Sequence, residues 1–271
     1  PGHTRVDAHL GTVMRGWLRI LPEGLHSGSI GIGVMPAAER GDEDAVTLSG
    51  GLGALDLSQW FGPVARSNDA GFAWVLDDFK MGRVGYRSIG FDNVVADASG
   101  RGGKVEVSIT APDIEGTIKV APDVPAQIDL HYLKIPGRGA ETSGDPLANV
   151  DARAIGDLDV AIADVQLGGE DYGKWQFQTR KIATGLAIDN LIADVKGLHV
   201  ESLPGTAWTT DGSWRTTFKG ELGATDLATV LPQWNYAPSL ETTSTHLDAD
   251  ISWKGSPFNL SLPIVDGRLA I

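Results

Sequence analysis

Asp157 and Asp159, and again Asp248 and Asp250, stand two residues apart, the spacing that sets two carboxylates on one face of a β-strand. Such pairs bind calcium or share the acid and base roles of glycoside hydrolysis. Their opposite faces are apolar, Leu158, Val160 and Ile162 in one strand and Leu247, Ala249 and Ile251 in the other, so the acidic side is expected simply to face water. The histidines, His3, His9, His26, His131, His199 and His246, stand singly, outside any H-x-H or H-E-x-x-H group. No serine occupies a G-x-S-x-G elbow, which excludes one hydrolase class though not a scattered triad. The expectation is a non-enzymatic protein with no catalytic residue, no metal and no cofactor.

A glycine motif, GGLGALDL at 50–57, departs from both ligand loops it resembles. The dinucleotide fingerprint needs a third glycine where Asp56 stands, and the calcium repeat needs a carboxylate where Leu55 stands. The motif returns as GELGATDL at 220–227, a constant 170 residues later, with Gly51 replaced by Glu221. An architectural role follows: Gly50, Gly53, Gly220 and Gly223 are expected to turn the chain, and Asp56 and Asp226 to cap short helices, the first being Leu57–Trp60. A second pair, FDNVVAD at 91–97 and IDNLIAD at 188–194, points the same way, towards an array of similar β units.

Composition fits strands and turns. Glycine numbers 35 of 271 residues, nearly twice the usual share of about 7%. There is no cysteine, hence no disulfide and no thiolate metal site. The formal charge of −13 repels phosphate backbones, so nucleic acid is not expected as a partner. No apolar run reaches the roughly 18–20 residues of a membrane helix. The start at Pro1 and the close on DGRLAI lead us to expect a segment of a longer chain. The eight tryptophans either fill core or form a platform for sugars or an apolar groove.

Alternation is the dominant pattern. Lys104–Thr110 sets Val105, Val107 and Ile109 on one face, and similar patterns run through 127–130, 156–163, 198–200 and 246–253. The alternation slips between Tyr132 and Leu133, predicting a bulge or strand end. The best helix candidate is Leu227–Trp234, interrupted by Pro232. Shorter breaks fall at 66–71 and 99–103, and GRGAETSGDP at 137–146 reads as an exposed loop. The expected division is therefore 1–136, the loop 137–146, and 147–271. The fold class is all-β with few short helices.

The order of DGSW (211–214), FKGELGATDLATVLPQWNY (218–236), ISWKGSPFNLSL (251–262) and DGRLAI (266–271) is similar to the AsmA-like C-terminal region of the YhdP family. LSGGLGALDLSQW and GLAIDNLIADVKGLHVESLPGTAW resemble it as well. That resemblance implies an elongated, curled antiparallel sheet of the β-taco type, related to TamB. Its apolar groove would carry phospholipid acyl chains across the Gram-negative periplasm towards the outer membrane, as part of an inner-membrane-anchored protein. Phospholipids, membranes reached through other parts of the protein, and other envelope proteins are the implied partners. Candidates for the apolar face are Val105, Val107, Ile109, Ile128, Leu130, Val160, Ile162, Ile251 and Trp253. The rival readings are a β-sandwich that binds carbohydrate through exposed tryptophans, and a structural envelope tether whose apolar face packs dry.

Overall fold

The computed structural model describes residues 2–38, 44–57, 71–86, 89–135, 145, 147–238, 242–260 and 264–270. The chain divides at Val124/Pro125 into two compact units, each built almost wholly of strands. The division falls ahead of the expected one at 136, because the strand that follows Pro125 pairs with strands of the second unit.

Unit 1 holds β1 (Thr4–Leu10), β2 (Met14–Leu21), β3 (Gly24–Ile32), β4 (Ala45–Asp56), β5 (Ala73–Tyr86), β6 (Ile89–Arg101), β7 (Lys104–Ala111) and β8 (Ile114–Val120), paired in chain order. Unit 2 holds β9 (Ala126–Ile135), β10 (Leu158–Ile162), β11 (Val165–Leu167), β12 (Glu170–Asp171), β13 (Lys174–Ile182), β14 (Gly185–Val195), β15 (Leu198–Ser202), β16 (Ala207–Thr210), β17 (Trp214–Ala224), β18 (Thr245–Lys254) and β19 (Val265–Ala270). Its order runs from β9 through β10 and β11 to β13, β14, β15 with β16, β17, β18 and β19.

The pairing is mixed, which corrects the antiparallel expectation. β3–β4, β4–β5, β9–β10 and β9–β11 are parallel. A parallel neighbour needs a crossover that returns the chain to the same end, and the segments 33–44, 57–72 and 136–157 are those crossovers. The sequence breaks at 66–71 and 137–146 fall between these strands, and apart from Gly71 and Asp145 they lie outside the described residues. The third break, 99–103, is a tight hairpin instead: Gly102 and Gly103 have φ +58° and +78°, the double positive φ of a type I′ turn. At Tyr132 and Leu133 β9 neither ends nor bulges; its partner changes there from β10 to β11.

The repeated glycines do not turn the chain. Gly50 and Gly53 lie within β4, and Gly220 and Gly223 within β17. What Gly50 supplies is a φ of +104° at the register shift between Ser49 and Gly51, where a Cβ would meet the Ile32 carbonyl oxygen at 2.0 Å. At Gly220 a Cβ would meet the Glu201 carbonyl oxygen at 2.2 Å. These positions let adjacent backbones approach.

Asp226 caps α1 (Leu227–Gln233), its carboxylate accepting from the Ala228 N–H at 2.9 Å. Asp56 is the last residue of β4; Ser58–Trp60, where its helix was expected, lie outside the described residues.

Candidate functional site

The pairing registers assemble one apolar face on each unit. In unit 1, Val6, Leu18, Gly28, Val46, Trp74, Gly100, Val105 and Val120 stand opposite one another in turn, one from each strand β1 to β8. Ala8, Gly16, Ile30, Leu48, Leu76, Ala98, Val107 and Ile118 form a second such row. Paired residues share a face, so each row crosses the sheet without a polar side chain, over about 34 Å at about 4.8 Å per strand. Trp74 lies over Gly100, where a Cβ would meet the indole at 2.5 Å.

Burial along this face is uneven. Val94 is 1% exposed and Phe79 4%, whereas Val6 and Val120 stay 39% and 43% exposed. No helix of unit 1 covers the face among the described residues.

Unit 2 repeats the arrangement. Leu130, Ile162, Trp175, Ala193, Val200, Leu222 and Leu247 form a row across β9, β10, β13, β14, β15, β17 and β18. Ile128, Val160 and Phe177 lie beside its start. Thr179 and Thr216, which share this face, bond the Gly156 and Gly255 carbonyl oxygens at 3.0 and 2.9 Å. Their hydroxyls therefore add no unpaired polar group to it. The rings of Trp175 on β13 and Phe258 beyond β18 approach to 6.5 Å between centroids. The Pro257–Asn259 turn that follows β18 thus sets Phe258 against Trp175.

Both strand ends of this face are walled. At one, Leu147, Val150 and Ile155 pack with Ala152 on Leu186 and Trp208, and the Asp145 carboxylate accepts from the Ser256 N–H at 2.6 Å and its hydroxyl at 2.5 Å. At the other, Val230 of α1 is buried and lies close to Gly197, while the Trp234 indole N–H donates to the Lys196 carbonyl. The Lys196 ammonium sits over the rings of Tyr172 and Trp234, 4.5 and 5.6 Å from their centroids, and pairs with Glu170.

The opposite faces are mostly wet and charged, apart from the buried Trp17 and Ser29 of unit 1, which are bonded to Ala37. Exposed pairs such as Lys119–Glu106 at 3.0 Å, Arg101–Asp44 at 2.7 Å and Lys219–Asp250 at 3.4 Å lie there, where solvent screens them. The Arg101 hydrogen bond holds Asp44 below the usual carboxylate range. Asp157 accepts from the Lys181 N–H at 2.8 Å. Glu221, His246 and Asp248 bring their donor atoms within 4.8 Å of one another, His246 Nε2 lying 3.6 Å from Glu221 and 3.7 Å from Asp248. Sequence spacing hid that group because it spans two strands, β17 and β18.

Val105, Val107 and Ile109 lie half-buried on the unit 1 face; Ile128, Leu130, Val160, Ile162, Ile251 and Trp253 lie on the unit 2 face, most of them buried. Missed were the positions on β1 to β6, where glycine and alanine dilute the alternation. None of the described tryptophans is exposed: Trp17, Trp208 and Trp253 are buried and Trp74, Trp175, Trp214 and Trp234 half-buried. A sugar platform of exposed indoles is therefore not formed by them.

The sequence matches the YhdP protein family over residues 1–271. The chain belongs to the YhdP family. Neither a search of curated proteins nor a search of solved structures returns a match. For this YhdP-family chain, no described helix is long and apolar enough to cross a membrane; the apolar surface it offers lies on its sheets.

Proposed function

We propose that this segment is a non-enzymatic part of a periplasmic, inner-membrane-anchored bridge whose curled sheets form a groove for phospholipid acyl chains. Lipid would pass along it between inner and outer membranes and so sustain the outer membrane.

The observation that carries the reading is the pair of uninterrupted rows across β1 to β8. They run at right angles to the strands, which is the direction in which a sheet extends as strands are added. A bilayer's hydrocarbon core is about 30 Å for two leaflets, so one acyl chain covers about 15 Å. A row of about 34 Å then accommodates two chains end to end. Large exposed apolar side chains on this face, Val6, Leu10, Ile20, Leu52 and Val120, would be costly to leave in water, about 25 cal/mol for each Å². The walls at both strand ends of unit 2 would keep a chain on the face while leaving the cross-strand direction free.

The test is displacement of a fluorescent fatty-acyl probe from the purified chain. Val107→Asp, in the middle of the second row, should weaken probe binding at least about tenfold, as a buried carboxylate beside an acyl chain is strongly disfavoured. Ser108→Asp, one residue away on the wet face, should leave it unchanged. Equal binding by both folded variants would contradict the reading.

A further inference from the structure

We infer that the cleft between residues 33–37 and the outer face of β1–β2 is a binding site for a phosphate group. It lies on the face opposite the apolar rows, so its occupancy does not depend on the acyl-chain reading.

The first argument is charge placement. Although the chain carries −13 overall, Arg5 stands opposite Arg19 and His9 opposite Arg15 on this face, with Asp7 opposite Trp17 between them. Basic residues set directly across a strand pair destabilise it. Asp7 engages Arg5 through contacts of 2.8 to 3.2 Å, and the guanidinium lies 5.5 Å from the centroid of the Trp17 ring. Arg15 has no such carboxylate among the described residues. Its guanidinium donates to the Met35 sulfur at 3.4 Å, a weak acceptor for a group with five N–H donors.

The second argument is that the cleft is built. The Trp17 indole N–H donates to the Ala37 carbonyl at 2.8 Å, and the Ala37 N–H donates to the hydroxyl of Ser29, itself 1% exposed. Gly31 lets this strap lie flat on the sheet, since a Cβ there would meet the Val34 carbonyl oxygen at 2.4 Å. The strap thereby raises Met35 and Pro36 as one wall of a cleft of about 390 Å³, lined across from them by Arg5, Asp7, His9, Arg15 and Trp17, with the Asp7 carboxylate engaged by Arg5.

The Arg15 fork, free to give two parallel N–H bonds, and the neighbouring His9 ring match the several acceptor oxygens of a phosphate. A soluble phosphate ester and a phospholipid headgroup share that chemistry.

The experiment is calorimetric titration of the whole chain with inorganic phosphate and with glycerol 3-phosphate at constant ionic strength, beside flotation with phosphatidylglycerol and phosphatidylcholine vesicles. Arg15→Gln should weaken phosphate binding on the order of tenfold with an unchanged melting temperature. Met35→Leu, which keeps the wall, should bind normally. Binding of both soluble ligands supports a free-phosphate site. Binding to vesicles alone, lost in Arg15→Gln, supports the same site and assigns its source to a headgroup. Absence of binding in every arm, or equal binding by folded Arg15→Gln, overturns the proposal. Phosphate binding that survives Val107→Asp separates this site from the apolar face, whichever way the acyl-chain reading falls.

Discussion

Asn93 in β6 and Asn190 in β14 hold the same left-handed backbone, φ 54° and 53°, at the same position of the repeated D-N motif. Each one shifts the inward set of its strand from even to odd spacing. Inward residues step from Phe91 to Val94 in β6 and from Ile188 to Leu191 in β14, after which strict alternation resumes through Val94, Ala96 and Ala98, and through Leu191, Ala193 and Val195. The motif is thus a device that re-aims a strand without ending it, used once in each unit.

Asn190→Val should destabilise the protein by about 1–2 kcal/mol, the cost of forcing a β-branched residue into the left-handed region. Asn190→Gly should cost less, since glycine adopts that conformation freely, losing chiefly the hydrogen bond from Asn190 Nδ2 to Gln178 Oε1 at 2.8 Å. Urea denaturation of the two variants compares them directly. Equal stability would mean that the backbone conformation is not what the asparagine serves.

The two glycines of the first repeat should respond oppositely to alanine. Gly50 combines φ +104° with a Cβ position 2.0 Å from the Ile32 carbonyl oxygen, so Gly50→Ala should cost more than about 1 kcal/mol. Gly53 has open space around its Cβ position and no positive φ. Gly53→Ala should therefore be neutral or stabilise by up to about 1 kcal/mol. Thermal melts of both would decide; a large loss at Gly53 would contradict the open space around its Cβ position.

Lys196 predicts an alkaline limit. Burial opposes its charge most strongly, but the Glu170 hydrogen bond and the fields of Tyr172 and Glu170 outweigh that, raising its pKa above the ordinary 10.5. A raised lysine contributes its full stability below the unfolded value and loses it as pH rises through the folded value. The protein should thus lose stability above about pH 10.5, and Lys196→Met should flatten that part of the profile. A wild-type profile that is already flat there would show the ion pair to be without effect on stability.

Much of this architecture was legible in the sequence. The alternation in Lys104–Thr110 gave β7 and its inward Val105, Val107 and Ile109, and Asp226 was recognisable as a cap because a short amphipathic run followed it. The glycine motif misled because glycine is used alike for turns and for close approach of backbones within a sheet. Only the partner strand, carrying Ile32 or Glu201 far away in sequence, distinguishes the two uses. Parallel pairing was hidden for a related reason: a gap such as 57–72 does not reveal to which end of the sheet it returns the chain. The rows themselves are invisible in one dimension. Gly28, Gly100 and Ala98 become parts of an apolar face only when register sets them beside Val46, Trp74 and Val107.

The central claim, that these rows carry lipid, is tested most directly by native mass spectrometry with lipid extraction on the chain purified from a bacterial periplasm. Phospholipid should co-purify with the wild type and be lost from Val107→Asp/Ile109→Asp while that variant keeps its sheet signature in circular dichroism. A wild-type chain free of lipid, compact and cooperatively melting, would contradict the claim and leave the apolar face as dry packing.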